Sequence, residues 1–192
     1  MSLRNRFLSI GVFTLLIAQT PSVSWAEETK DPASNGPITS KREAMKVIQD
    51  LNNYKQTQIS RVFIGHGLIK ATDQALHHAD NAIESCKETH PDEVQLSEDL
   101  SAIHDDLHSQ TDPILKKARK ALNKTIQLEE ILPAAQMKSI LAVMDEDITK
   151  NSSKVEPEPI TRLEDCQKFV KNAKRRNIAK TLNSSLNRAF GF

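Results

Sequence analysis

The clearest structural pattern in this chain of 192 residues lies in residues 62–86, VFIGHGLIKATDQALHHADNAIESC. Large apolar residues recur there every seven positions, and smaller residues occupy the complementary positions of the same repeat. The large set is Val62, Ile69, Leu76 and Ile83, and the small set is Gly65, Thr72, Ala79 and Cys86. This alternation is typical of a helix whose seam a second helix approaches closely. We interpret it as core packing rather than as a cofactor groove.

Helix signals extend this pattern in both directions. Ser40-Lys-Arg-Glu43 has the form of a capping box, in which each end residue satisfies a backbone N–H near the other. It predicts a long N-terminal helix over residues 40–89, disturbed near Gly65-His66-Gly67.

The remainder of the chain also favours helices. The pattern predicts helices over residues 92–110, 134–149 and 162–189. Thr111-Asp112-Pro113 predicts a new helix start or a kink, and Thr161-Arg-Leu-Glu164 a second capping box. The stretch 151–159 is predicted to be a loop, and no segment alternates as a strand would. We therefore predict an all-α fold, a helical bundle of four to six helices.

The N-terminal residues have the features of a secretory signal peptide. Arg4 and Arg6 make a basic start, residues 7–18 are apolar, and Ser24-Trp25-Ala26 supplies the small residues that a signal peptidase requires. The apolar run is too short to span a bilayer of about 30 Å. We predict a signal peptide over residues 1–26, a disordered leader over 27–39, and a single helical-bundle domain over 40–192 in the periplasm.

Composition argues against some classes of function. Without Arg4 and Arg6 the formal net charge is −1, and aromatic residues make up 4% of the chain. A near-neutral balance is unlike that of a dedicated nucleic-acid binder, and few rings are available to stack on sugars or bases. Nucleophile-elbow and phosphate-loop motifs do not occur, so we predict no catalytic residue and a protein that is not an enzyme.

The two cysteines of the sequence are Cys86 and Cys166. In an oxidising compartment, two cysteines in a small domain are most simply a disulfide. A redox-active pair is the alternative, although the wide spacing is unlike Cys-x-x-Cys. We predict a disulfide that links the first and last helices.

All six histidines lie within residues 66–108. His104 and His108 are spaced to share one helix face, which suits Zn²⁺ or Cu²⁺ if a third ligand arrives from His77, His78 or His90. We predict no cofactor, with histidines that face solvent, and the alternatives are this metal site or a pH-sensing role for His90, His104 and His108.

Charge is unevenly distributed. Residues 84–112 hold nine acidic residues and one basic residue, whereas residues 168–192 hold seven basic residues and no acid. The two segments are predicted to face each other across the bundle, or else the basic helix binds an anionic membrane surface or an acidic partner. The basic surface consists of Lys168, Lys171, Lys174, Arg175, Arg176 and Lys180.

Two segments resemble the YfdX family of bacterial periplasmic proteins. The matching residues are Ile59-Ser-Arg61, Gly67, Ala71 and Ala79 in the early helix, and Pro159-Ile160-Thr161 and Ala179-Lys-Thr-Leu182 in the late segment. The resemblance implies a helical periplasmic protein tied to acid or other envelope stress, without an established enzymatic activity.

Together these features predict an exported, non-enzymatic protein of envelope or acid stress. We expect it to respond to pH and to associate with itself or with other envelope proteins. The alternatives are a periplasmic metal-binding bundle and a membrane-surface module.

Overall fold

The structure, a computed structural model, describes residues 37–152 and 159–192, and their side chains over 37–146 and 159–192. The predicted signal peptide, most of the predicted leader and most of the loop before Pro159 lie outside the described residues. Within them the chain forms helices and no strands, which confirms the all-α prediction. The six helices are α1 Lys41–Gln49, α2 Asn53–Thr89, α3 Val94–Gln127, α4 Ala134–Ser152, α5 Leu163–Arg176 and α6 Ile178–Phe190.

The helices α2 and α3 form a long antiparallel hairpin. Lys87 contacts Ser101 near the turn, and farther along the pair Asp73 contacts Arg119. The helices α5 and α6 follow one another along this hairpin, and α4 packs against α1 and α3. Among the described residues, no helix combines the length and the apolar character that crossing a bilayer requires.

The seven-residue seam of α2 is buried as predicted. All eight of its residues are buried, together with Ile59 one turn earlier. The partner face of α3 is buried as well, through residues such as Leu100, Leu107, Leu115 and Ala118. The heptad pattern therefore identified the buried face of α2 correctly.

The predicted first helix is interrupted at another place than expected. The break falls at residues 50–52, where the Asn52 side chain accepts a hydrogen bond from the Lys55 N–H and starts α2. The long helix is therefore the second, and it runs unbroken through Gly65 and Gly67. A Cβ at Gly65 would lie 2.9 Å from the Phe190 ring, so this glycine allows α6 to approach.

The helix start predicted at Thr111-Asp112-Pro113 is wrong, because α3 continues through these residues. The alternative, a kink at this place, stays a prediction. Thr111 is buried inside α3 rather than placed at its start. Pro113 lacks an N–H and so weakens the local hydrogen-bond ladder. The Asn183 amide of α6 donates to the neighbouring Gln110 carbonyl at 3.0 Å, which provides one bond across this region.

The predicted last helix is divided in two at Asn177. This residue adopts the left-handed conformation (φ 42°, ψ 71°), and its side chain accepts a hydrogen bond from the Lys180 N–H. Asparagine tolerates this conformation better than most residues, because its short side chain can bond locally. The second capping box is also wrong, since α5 has Arg162 at its N-cap and no side-chain capping bond there.

Among the residues whose side chains the structure describes, the apolar interior consists of two clusters. The larger one includes residues from α1, α2, α3, α4 and α6, and the smaller one lies where α2, α3 and α5 meet. The predicted disulfide between Cys86 and Cys166 is present inside the smaller cluster, and both cysteines are fully buried. It joins the end of α2 to the beginning of α5.

Candidate metal centre

Three metal-ligating side chains meet where α2 lies beside α3. His104 and His108 are one turn apart on α3, and Asp80 faces them from α2. The Asp80 carboxylate lies 2.9 Å from His108 Nε2 and 3.9 Å from His104 Nε2. The two imidazole rings are tilted with their centroids 4.6 Å apart. The antiparallel hairpin thus brings two nitrogens and one oxygen towards a common point.

Both histidines are oriented by a further carboxylate. His104 Nδ1 lies 3.1 Å from the Asp105 carboxylate, and His108 Nδ1 lies 3.2 Å from that of Asp112. In many metal sites a ligating histidine donates its other ring N–H to a carboxylate, which fixes the ring and leaves the remaining nitrogen for the metal. The Nε2 atoms are the two that point towards Asp80, so a metal at this place would be bound through Nε2 of both rings.

The spacing of the three ligands is compatible with one small cation. Their ligand atoms all lie within 4.8 Å of one another. With metal–ligand bonds of about 2.0–2.1 Å, tetrahedral geometry separates ligand atoms by about 3.3 Å. His104 Nε2 lies 3.9 Å from Asp80, which is farther than this separation, and 45% of the His104 side chain is exposed.

The electrostatics of the site favour positive charge. The hydrogen bond that His108 donates to the Asp80 carboxylate raises the pKa of His108 above its ordinary value, and the Asp112 carboxylate contributes in the same direction. Partial burial of the ring opposes this shift. The carboxylates that stabilise a protonated imidazole would also stabilise a bound cation.

The third residue of the cluster, Asp80, differs from the residues that the sequence suggested as a third ligand. His77 bonds to Asn81 on the exposed side of α2, and His90 Nε2 lies 3.1 Å from the Thr161 carbonyl near the α2–α3 turn. Neither residue is part of the cluster, and nor is His78. Asp80 follows the seam residue Ala79, so it lies beside the contact between α2 and α3. Its meeting with His104 and His108 depends on how these two helices are aligned along each other, which local sequence does not determine.

The basic surface is separated from this cluster and is largely exposed. Two of its residues form ion pairs, Lys168 with Asp165 at 3.2 Å and Lys174 with Asp99 at 2.8 Å. Among the described residues, Lys174–Asp99 is the one ion pair that joins the acidic segment 84–112 to the basic segment 168–192. The predicted complementarity across the bundle therefore amounts to a single pair. Four basic residues form no ion pair within the described chain, namely Lys171, Arg175, Arg176 and Lys180.

No family model, curated protein or solved structure matches this chain. Membership of the YfdX family therefore stays a prediction. The chemistry of Asp80, His104 and His108 is the most specific functional feature of the described residues.

Proposed function

We propose that this chain is an exported, non-enzymatic helical-bundle protein that binds a divalent transition metal, Zn²⁺ or Cu²⁺, through Asp80, His104 and His108. The observation that carries the proposal is the convergence of two imidazole Nε2 atoms and one carboxylate from two helices. The predicted signal peptide supports export, and the lack of catalytic motifs in the sequence supports a binding role.

The chemistry of the ligands favours a particular class of metal. Two imidazoles and one carboxylate suit Zn²⁺ and Cu²⁺, whereas Mg²⁺ and Ca²⁺ prefer sites made entirely of oxygen atoms. Three protein ligands leave a fourth position for water or for an exchangeable ligand. Since 36% of the Asp80 side chain and 27% of the His108 side chain are exposed, the proposed role is reversible binding at the surface.

Titration calorimetry of the exported protein, with its disulfide intact, tests this proposal using ZnCl₂ and CuCl₂ separately. We expect a one-to-one complex with micromolar or tighter affinity. Asp80→Asn, His104→Ala and His108→Ala should each weaken it at least about tenfold, a typical cost of losing one ligand or its support. His77→Ala is the matched control, because it removes an exposed histidine from α2, the helix that carries Asp80. Heats that none of the three substitutions changes would contradict the proposal.

A second candidate function, a response to mild acid during envelope stress, is favoured by a separate contact. His66 Nε2 of α2 lies 2.7 Å from the Asp145 carboxylate of α4, and Lys70 contacts the other oxygen of that carboxylate at 3.2 Å. Only 14% of the His66 side chain is exposed. This contact joins two packed helices through charged groups, and it supports a dependence of conformation and self-association on the charge of the contact.

Light scattering coupled to size exclusion tests this second candidate from about pH 7.5 to about pH 4.5, the range that brackets histidine titration. We expect a reversible change of molecular mass that His66→Gln abolishes and that exposed His78→Gln leaves in place. A constant mass over the whole range would rule out this role.

A further inference from the structure

The turn between α2 and α3 carries a concentration of negative charge. We name this surface the acidic tip, and it consists of Glu84, Glu88, Asp92, Glu93 and Glu98. All five side chains are exposed, and within the described chain none of them forms an ion pair. Lys87, the basic residue among them, donates to Ser101 Oγ at 2.8 Å. The tip is therefore an anionic surface without an internal partner in this part of the molecule.

The junction of α5 and α6 carries the opposite charge. We name this surface the basic elbow, and it consists of Lys171, Arg175, Arg176 and Lys180 on either side of Asn177. All four side chains are exposed, and no carboxylate of the described residues pairs with them. Lys174, which lies between them in sequence, is held by Asp99 at 2.8 Å. The elbow is thus a cationic surface that this fold does not neutralise.

The fold holds the two surfaces in the same half of the molecule without letting them meet. The disulfide and the Lys174–Asp99 pair hold α5 against α2 and α3. The face of α5 that packs inwards carries Cys166, Val170 and Ala173. Lys171 and Arg175 lie on the other side of the helix and so point away from the acids of α2 and α3.

We propose that the occupant of each surface is a second copy of this chain, in which the acidic tip of one copy binds the basic elbow of the other. One chain supplies both complementary surfaces, which favours self-association over an unrelated partner. Because both surfaces lie in the same half, a two-fold axis can form both contacts at once and close a dimer. This inference does not depend on the metal centre.

The physical character of such a contact is predictable. Exposed ion pairs are individually weak and are screened by salt over distances of about 10 Å at 0.1 M ionic strength. The dimer should therefore form at low ionic strength and dissociate as salt is added. We expect the dissociation constant to rise at least about tenfold between about 0.05 M and about 0.5 M NaCl.

Sedimentation velocity of the exported protein, in the presence of EDTA to exclude metal effects, tests the proposal. Two charge reversals, E84K/E88K at the tip and K171E/R175E at the elbow, should each abolish the dimer at low salt. When the two variants are mixed, a one-to-one heterodimer should form, because the unaltered elbow of the first variant then faces the unaltered tip of the second. K116E/K120E is the matched control for the elbow reversal, since it makes the same charge change on an exposed face of α3. It should leave the dimer intact.

Three outcomes would overturn the proposal. They are a monomer at all salt concentrations, a dimer that neither reversal affects, and a mixture that stays monomeric. A monomer whose elbow binds vesicles with anionic phosphatidylglycerol, and not neutral phosphatidylcholine vesicles, would instead assign the elbow to a membrane surface.

Discussion

Asp80 has a dual effect because it contacts two imidazoles from the opposite helix. Without a metal, its carboxylate favours the protonated form of His108 and raises the pKa of that ring. In the proposed metal complex the same carboxylate would be a ligand, and His108 would have to give up the proton on Nε2. We therefore expect a proton and a metal to compete for one position on His108, within a cluster that the packing of α2 against α3 assembles.

The raised pKa of His108 predicts how the stability of the metal-free protein depends on pH. A histidine whose pKa is higher in the folded state stabilises the fold below its unfolded pKa of about 6.5, and this stabilisation fades as pH rises through the folded value. We expect Asp80→Asn to lower the free energy of unfolding by about 0.5–1 kcal/mol near pH 6 and by less at pH 8, as for a partly exposed pair. Urea unfolding in EDTA measures both values. An equal loss at the two pH values would show that Asp80 acts through packing alone.

Helix interiors and helix ends differed in how far the sequence revealed them. The seam of α2 was predictable because buried residues recur every seven positions, so that several residues indicate the same face of the helix. The breaks at residues 50–52 and at Asn177 were not, since each depends on one asparagine side chain that caps the following helix. The pairing of Asp80 with two histidines was likewise hidden, because local sequence does not fix the register between α2 and α3.

The two glycines inside α2 test whether a position that packs against another helix responds to substitution differently from one that does not. Gly67 has no atom within 4 Å of the position of a Cβ, so Gly67→Ala should raise the free energy of unfolding by about 0.5–1 kcal/mol through helix propensity. Gly65 faces the Phe190 ring, so Gly65→Leu should lower the free energy by about 1–3 kcal/mol through overpacking. Thermal and urea unfolding measure both changes. A loss of stability in Gly67→Ala would mean that this glycine serves the fold in another way.

At the scale of the whole molecule, the described residues form a large apolar core and a small one. The small core lies between the end of α2 and the start of α5, beside α3. The small core includes few residues, and two of them are the cysteines of the disulfide. A cluster of this size buries little apolar surface, so we infer that the covalent bond contributes much of its stability. The disulfide was predictable from the number of cysteines, whereas its place in a separate core required the three-dimensional arrangement.

Removal of the disulfide should therefore act both on global stability and on one region. The cysteines are 80 residues apart in sequence, and the loop-entropy model gives about 4–5 kcal/mol for a loop of that length. We expect the double substitution Cys86→Ala and Cys166→Ala to lower the free energy of unfolding by up to this amount. Hydrogen exchange should accelerate most in α5 and at the end of α2, while the centre of the α2–α3 hairpin, buried in the large core, changes least. Non-reducing peptide mapping of the unaltered protein provides the reference, in which Cys86 and Cys166 are linked. An increase in exchange that is uniform over all helices would show that the two cores unfold as one unit.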